Sequence, residues 1–151
     1  MSLDLIRRLV RLEKRVDNLA RPEIGPTPVF VPTAYTNTDF DGDSFSDVAV
    51  HTKIENTSWS TTIPSDAKGI LIRIQVADSG SAGNTGLNFR IYSTSGAGLA
   101  SARVDLDGVP NDSLVNQTVV VPCTDGDIWY RCDASGVDTL DVWLRVFGYW
   151  V

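Results

Sequence analysis

Four prolines between Pro22 and Pro32 split the chain into two stretches of different hydrophobic period, and neither helix nor central strand can run through them. Before them, Leu5, Leu9, Leu12, Val16 and Leu19 follow one another at steps of four, three, four and three. That spacing predicts a helix over residues 1–21 with a narrow heptad seam, Leu5, Leu12 and Leu19 at position d and Leu9 and Val16 at position a. No Gly or Pro interrupts it before Arg21, Ser2 offers a start and Pro22 sets the stop. The segment Pro22–Pro32 reads as a semi-rigid connector ending in an edge strand at Val29–Val31. The expected organisation is thus a coiled-coil helix over 1–21, a Pro-rich neck over 22–33 and a β head over 34–151.

A lone amphipathic helix docked on its own domain would present a wider apolar face than this seam, which basic residues surround at five positions. Self-association is the favoured reading. Arg8-Leu9-Val10-Arg11-Leu12-Glu13 resembles the short trimerisation motif of coiled coils, Arg-h-x-x-h-Glu, where h is apolar. The resemblance implies that Arg8 lies across a neighbouring chain and pairs with its Glu13. The expected trimer interface is Leu5, Arg8, Leu9, Leu12, Glu13, Val16 and Leu19. So short a coil holds three chains weakly, and an exposed ion pair adds only about 0–1 kcal/mol, so the head has to share the assembly.

From Ala34 onward the period is two. Ser46–Thr52, Gly69–Val76, Leu87–Tyr92, Ala102–Leu106, Val115–Val121, Asp127–Cys132 and Leu140–Val151 read as strands separated by Gly, Asp and Ser. The expected fold class is mainly β, an antiparallel β-sandwich or jelly roll carrying the short N-terminal coiled-coil helix. The last strand stays apolar through Phe147, Tyr149, Trp150 and Val151, so it has to be pinned within a sheet or against a partner chain.

Charge divides along the same boundary. Residues 1–21 hold six basic and three acidic side chains, while the remaining 130 hold seven basic and sixteen acidic ones. A basic stem and an acidic head suit different surroundings, although solvation alone accounts for such a split. No aromatic residue is interleaved with the stem's cations as a single-strand nucleic-acid platform requires, so no nucleic-acid partner is expected. No apolar run reaches the length of a membrane span, and the charged amino end does not read as a secretory signal. The chain is read as soluble, made in the cytoplasm and without membrane insertion.

Chemistry has little raw material in one histidine, one methionine and two cysteines. No catalytic residue is assigned, and an enzyme is not the expected reading. His51 lacks a nucleophile at motif spacing, and carboxylates such as Asp105 and Asp107 are ordinary loop residues. Cys123 and Cys132 are expected as buried free thiols, because an Asp125-Gly126 hairpin turn would place Cys123 opposite Ile128 and Cys132 opposite Val119.

The sharpest chemical signal is Asp39-Phe40-Asp41-Gly42-Asp43-Ser44-Phe45-Ser46-Asp47. Asp39, Asp41, Asp43 and Asp47 offer oxygen ligands around a glycine, as calcium requires. The stretch resembles the Asp-x-Asn-Gly-Asp-Gly-x-x-Asp loop of integrin-type FG-GAP repeats, with Asp41 for the Asn and Ser44 for the second Gly, but it occurs here once. The competing and favoured reading is an acidic turn leading into a strand, with no cofactor. Trp59, Tyr92, Trp129 and Tyr130 are candidate stacking residues for a sugar, against the alternative that they belong to the core.

A heptad stem, Pro-rich neck and β head in this order resemble bacteriophage trimeric surface proteins: head fibres, capsid decoration proteins and short tail-fibre modules. The stretches Phe40-Asp41-Gly42-Asp43-Ser44, Ala67–Arg73 and Asp141-Val142-Trp143-Leu144 with Gly148-Tyr149-Trp150 carry that likeness as general character. What it implies is a homotrimer assembled in the host cytoplasm into the virion, docked on capsid or tail proteins as a structural or decoration element. The alternative is a receptor-binding head that recognises a host glycan or protein. The resemblance also speaks against calcium, since such heads reuse acidic turn loops.

Overall fold

A computed structural model describes residues 27–34, 39–96 and 98–151. The seam residues Leu5, Arg8, Leu9, Leu12, Glu13, Val16 and Leu19 therefore lie outside the described residues, as does the helix they were read to form. The described chain forms the strands β1 (Phe30–Pro32), β2 (Phe40–Phe45), β3 (Val48–Ile54), β4 (Gly69–Asp78), β5 (Asn88–Tyr92), β6 (Ala102–Asp105), β7 (Val115–Pro122), β8 (Ile128–Asp133) and β9 (Leu140–Trp150). A single 3-10 turn at Ser81–Gly83 is the only helical element among the described residues.

These strands build two antiparallel sheets. In the first, the order is β1, β9, β4, β7, with β2 also on β9. In the second, it is β3, β8, β5, β6. Alternation explains how they close on each other: Ile70, Ile72, Ile74 and Val76 on β4 and Leu140, Val142 and Leu144 on β9 are all fully buried, as are Phe89 and Ile91 on β5 and Ile128 on β8. One cluster contains them all, so the sheets share a core. Each such side chain contributes about 1.5–3 kcal/mol of burial, against the entropy of ordering it.

Strand β9 organises the first sheet. One of its edges pairs with β4 along the whole length of β4. The other is divided, with β2 facing Leu140–Leu144 and β1 facing Gly148–Trp150. The apolar carboxyl end is therefore held inside a sheet. Opposite Leu71 and Ile72 the register slips, because Leu71 faces Gly148 while Ile72 faces Val146, leaving Phe147 as an extra residue. This bulge reverses the alternation. Val146 lies in the core and Tyr149 packs against it, whereas Gly148 and Trp150 turn to the outer face.

Two local expectations change. The stretch read as an acidic turn or ion loop is itself a strand, β2, because Phe40 and Phe45 both pack on the core opposite Leu144 and Leu140. A bulge between Gly42 and Phe45, with Ser44 at φ 62°, makes that geometry achievable. The second change concerns the Asp125-Gly126 turn. It forms, with Thr124 bridging Asp127 and positive φ at both central residues, but β7 and β8 then part to different sheets. Cys123 and Cys132 are consequently not cross-strand neighbours, and both remain buried free thiols.

Candidate functional site

The four carboxylates of the acidic stretch have separate tasks. Asp39 is buried, and its Oδ2 accepts the backbone N–H of Val146 at 2.7 Å. Asp47 Oδ1 accepts the N–H of Ala134 at 2.7 Å, tying the start of β3 to the end of β8. Asp41 and Asp43 are exposed on β2. The neighbouring Asp41 charge, with some burial and the Asp141 charge, pushes the Asp43 carboxyl above its ordinary value. Asp141 in turn accepts the N–H of Ser44 at 2.9 Å, holding the bulge. Among the described residues no three His, Cys, Asp or Glu side chains gather as metal ligands would. Two of the four candidate calcium ligands, Asp39 and Asp47, each have one oxygen engaged by a backbone amide.

The candidate stacking aromatics divide between core and surface. Trp59 is 5 % exposed and Tyr130 is 7 % exposed, both within the core cluster. Tyr130 lies with its ring centroid 5.6 Å from Phe45, 5.7 Å from Phe89 and 6.2 Å from Phe40. Burial raises its phenol above the ordinary value. Tyr92 and Trp129 are cross-strand partners on the other face of the second sheet, where Tyr92 is nevertheless buried at 6 % exposure and Trp129 alone stays partly exposed. His51 lies over Tyr92 with ring centroids 4.2 Å apart, and its Nδ1 is 2.8 Å from the carbonyl of Ser95. Trp129 stays half-exposed beneath Lys53, whose Nζ is 6.0 Å from the ring and 2.6 Å from Asp127. The hydrogen bond from Lys53 to Asp127 holds the ammonium pKa above its ordinary value, against the opposing effect of desolvation. The same face carries an ionic group of Arg90, Asn88 and Asp133, with Arg90 at 2.6 Å and Asn88 at 3.0 Å from Asp133.

The outer face of the first sheet ends differently where the neck joins it. Val29 and Val151 exchange backbone hydrogen bonds of 3.0 and 3.1 Å, and Lys68 donates its N–H to Trp150 at 2.7 Å. The Phe30 ring crosses Gly148 and meets Trp150 with centroids 4.7 Å apart. Pro28, Lys68, Gly69, Val120, Pro122 and Trp150 line an apolar cleft of about 430 Å³ there. Around it, Val29 is 60 %, Val120 52 %, Phe30 39 % and Val151 37 % exposed. Sequence reasoning did not single out this surface, although Leu71 and Val120, apolar on the outward parity of their strands, are a legible trace of it.

No helix of the described residues is long and apolar enough to cross a membrane. No protein-family model matches the chain, and no curated protein matches its sequence.

Proposed function

We propose that the chain is a homotrimeric virion structural protein of bacteriophage type, a capsid decoration or head-fibre element whose stem gathers three copies and whose β-sandwich head is displayed from the particle. The observation that carries this reading is the way the neck becomes part of the head. β1 continues the sheet on the outer end of β9, and Val29 and Val151 are reciprocally hydrogen-bonded. Pull on the stem is thereby transmitted across a sheet ladder to the central strand β9, as a projecting element anchored at one end requires. The heptad seam and the charge contrast between basic stem and acidic head support the same assignment. No step of it calls for a metal or an enzymatic reaction.

Two measurements test it. Light scattering on the full chain should give three times 16.4 kDa, and imaging of intact virions carrying the labelled protein should place it on the capsid. A single-copy mass, or label absent from particles, would overturn the proposal.

A second reading, a receptor-binding head on a short tail fibre, rests on Trp129, half-exposed beside Lys53 and Tyr92 on the outer face of the second sheet. A half-buried indole flanked by polar groups suits stacking against a sugar ring. Binding on a glycan array that Trp129→Ala abolishes, together with label at the tail, would select it over the decoration reading.

A further inference from the structure

We propose that the apolar cleft at the neck root is the docking surface for the head of a second copy of this chain. The inference rests on the trimeric reading above and adds to it a surface on the head and an orientation of the heads.

The cleft exists because Gly69 has no side chain. Gly69 faces Pro122 on one side and Trp150 on the other, so its missing side chain leaves a floor between the Val120 and Trp150 side chains. Lys68 is the one charged residue in the lining. Val29, Phe30, Val120 and Val151 stand exposed around it, a concentration of apolar surface that isolated soluble heads keep small.

The chain's connectivity names the occupant. Residues 1–26 join the head at Thr27, immediately before Pro28 in the cleft lining. From Leu19, the last seam position, to Thr27 a chain reaches at most about 28 Å even when fully extended. A head of roughly 120 residues is about 35 Å across. Three heads tethered to one seam by so short a span crowd together at their neck-root ends, and those ends carry Val29, Phe30, Val120 and Val151. A seam of under three heptads needs such a second contact, since stable interfaces bury about 800 Å² per partner. Around a threefold axis the same rim meets its own copies, so apolar faces apolar and Lys68 stays at the margin.

The test uses the full chain in sedimentation equilibrium over a dilution series, comparing wild type, Gly69→Val and Val120→Lys. A Cβ at Gly69 meets no atom closer than 3.5 Å, so a side chain can start there without a backbone clash, and valine's γ carbons would then raise the floor of the cleft. Both variants should form a trimer about tenfold weaker than wild type while unfolding cooperatively as monomers. If Val120→Lys does not fold, Gly69→Val decides. Hydrogen exchange on the wild type adds an independent measure, because residues 119–122 on β7, the last strand of its sheet, should exchange faster in the diluted monomer than in the trimer, while 148–151 keep the protection of their own ladders. A wild-type trimer that both folded variants leave at full strength overturns the docking surface and spares the trimeric reading. Exchange at 119–122 that is equally fast in the trimer and in the diluted monomer also overturns it, since assembly then covers nothing there. A wild type that is monomeric throughout overturns the trimeric reading itself.

Discussion

Asp39 reaches across the gap between β1 and β2 and accepts the N–H of Val146, the residue that precedes the β9 bulge. Beside it, Thr33 donates its N–H to Phe147 and its hydroxyl to the Val146 carbonyl, and Asp39 donates its own N–H to Leu144. The edge of β9 is thus satisfied from Leu140 to Trp150 although neither partner strand spans it. A buried amide left unpaired here would cost about 1–3 kcal/mol.

Replacement of Asp39 by Ala should therefore lower the unfolding free energy from urea titration by about that amount, with β1 amides exchanging faster than those of β4. Calcium should leave the unfolding temperature of the wild type unchanged, because Asp39 and Asp47 are committed to Val146 and Ala134. A rise in unfolding temperature with added calcium would restore the ion-binding reading of this stretch.

Asp78, 1 % exposed at the end of β4, is the hub for the turn before β9. Burial alone pushes its carboxyl up. Hydrogen bonds from the Ser135 hydroxyl and N–H, the Gly80 N–H and the Thr139 hydroxyl outweigh that effect and hold it below its ordinary value of 3.8. Its folded pKa lies below the unfolded one, so its contribution to stability is present above about pH 3.8 and is lost as pH falls through the folded value. Chemical denaturation from pH 7 down to acid should show the wild type losing its advantage over Asp78→Asn in that low window. An advantage that vanishes nearer neutrality would point to another group.

The alternation of Ile70, Ile72, Ile74 and Val76 made β4 readable, because one parity carried every large apolar residue and the strand lies at the centre of its sheet. β2 was not readable for the converse reason. Phe40 and Phe45 are five residues apart, which puts them on opposite faces of a regular strand, and Asp41-Gly42-Asp43-Ser44 between them is ordinary turn composition. Pairing with β9 overrode both signals, and the bulge at Ser44 let the six residues Phe40–Phe45 face the five from Leu140 to Leu144. The parting of β7 from β8 depends on what each meets elsewhere, β4 in one case and β3 and β5 in the other, which no local rule contains. The cleft escaped notice because it is made by an absence at Gly69 and by neighbours that come from three distant parts of the chain. Among the stacking candidates, Trp129 keeps some exposure, while Trp59, Tyr92 and Tyr130 are all buried.

Cys132 lies 1 % exposed in the core, and burial pushes its thiol up to about 11. Cys123 is shifted in the same direction by burial. Since the thiolate is the reactive species, both should resist a disulfide reagent at pH 8 in the folded chain and react fully in urea. The labelling rate should follow unfolding rather than pH between 7 and 9. Fast labelling of either residue in the native protein would show that the second sheet opens locally at β8 or that the end of β7 does.

Gly148 is the position on which the seating of β1 against β9 depends. A Cβ there would lie 2.3 Å from the Phe30 ring and 2.6 Å from the Val31 carbonyl, so alanine requires β1 to move. The ring could rotate away, but the carbonyl belongs to the strand itself. Gly148→Ala should cost about 1–3 kcal/mol in urea unfolding, as overpacking at a filled site does. It should also free the amides of Val29 and Val151 to exchange while those of Ile72 and Leu144 stay protected, since β4 holds β9 from the other side. Truncating Phe30 to Leu in the same chain should recover part of the loss by removing the nearer of the two clashes, and full recovery would mean that the carbonyl contact is relieved by the same movement.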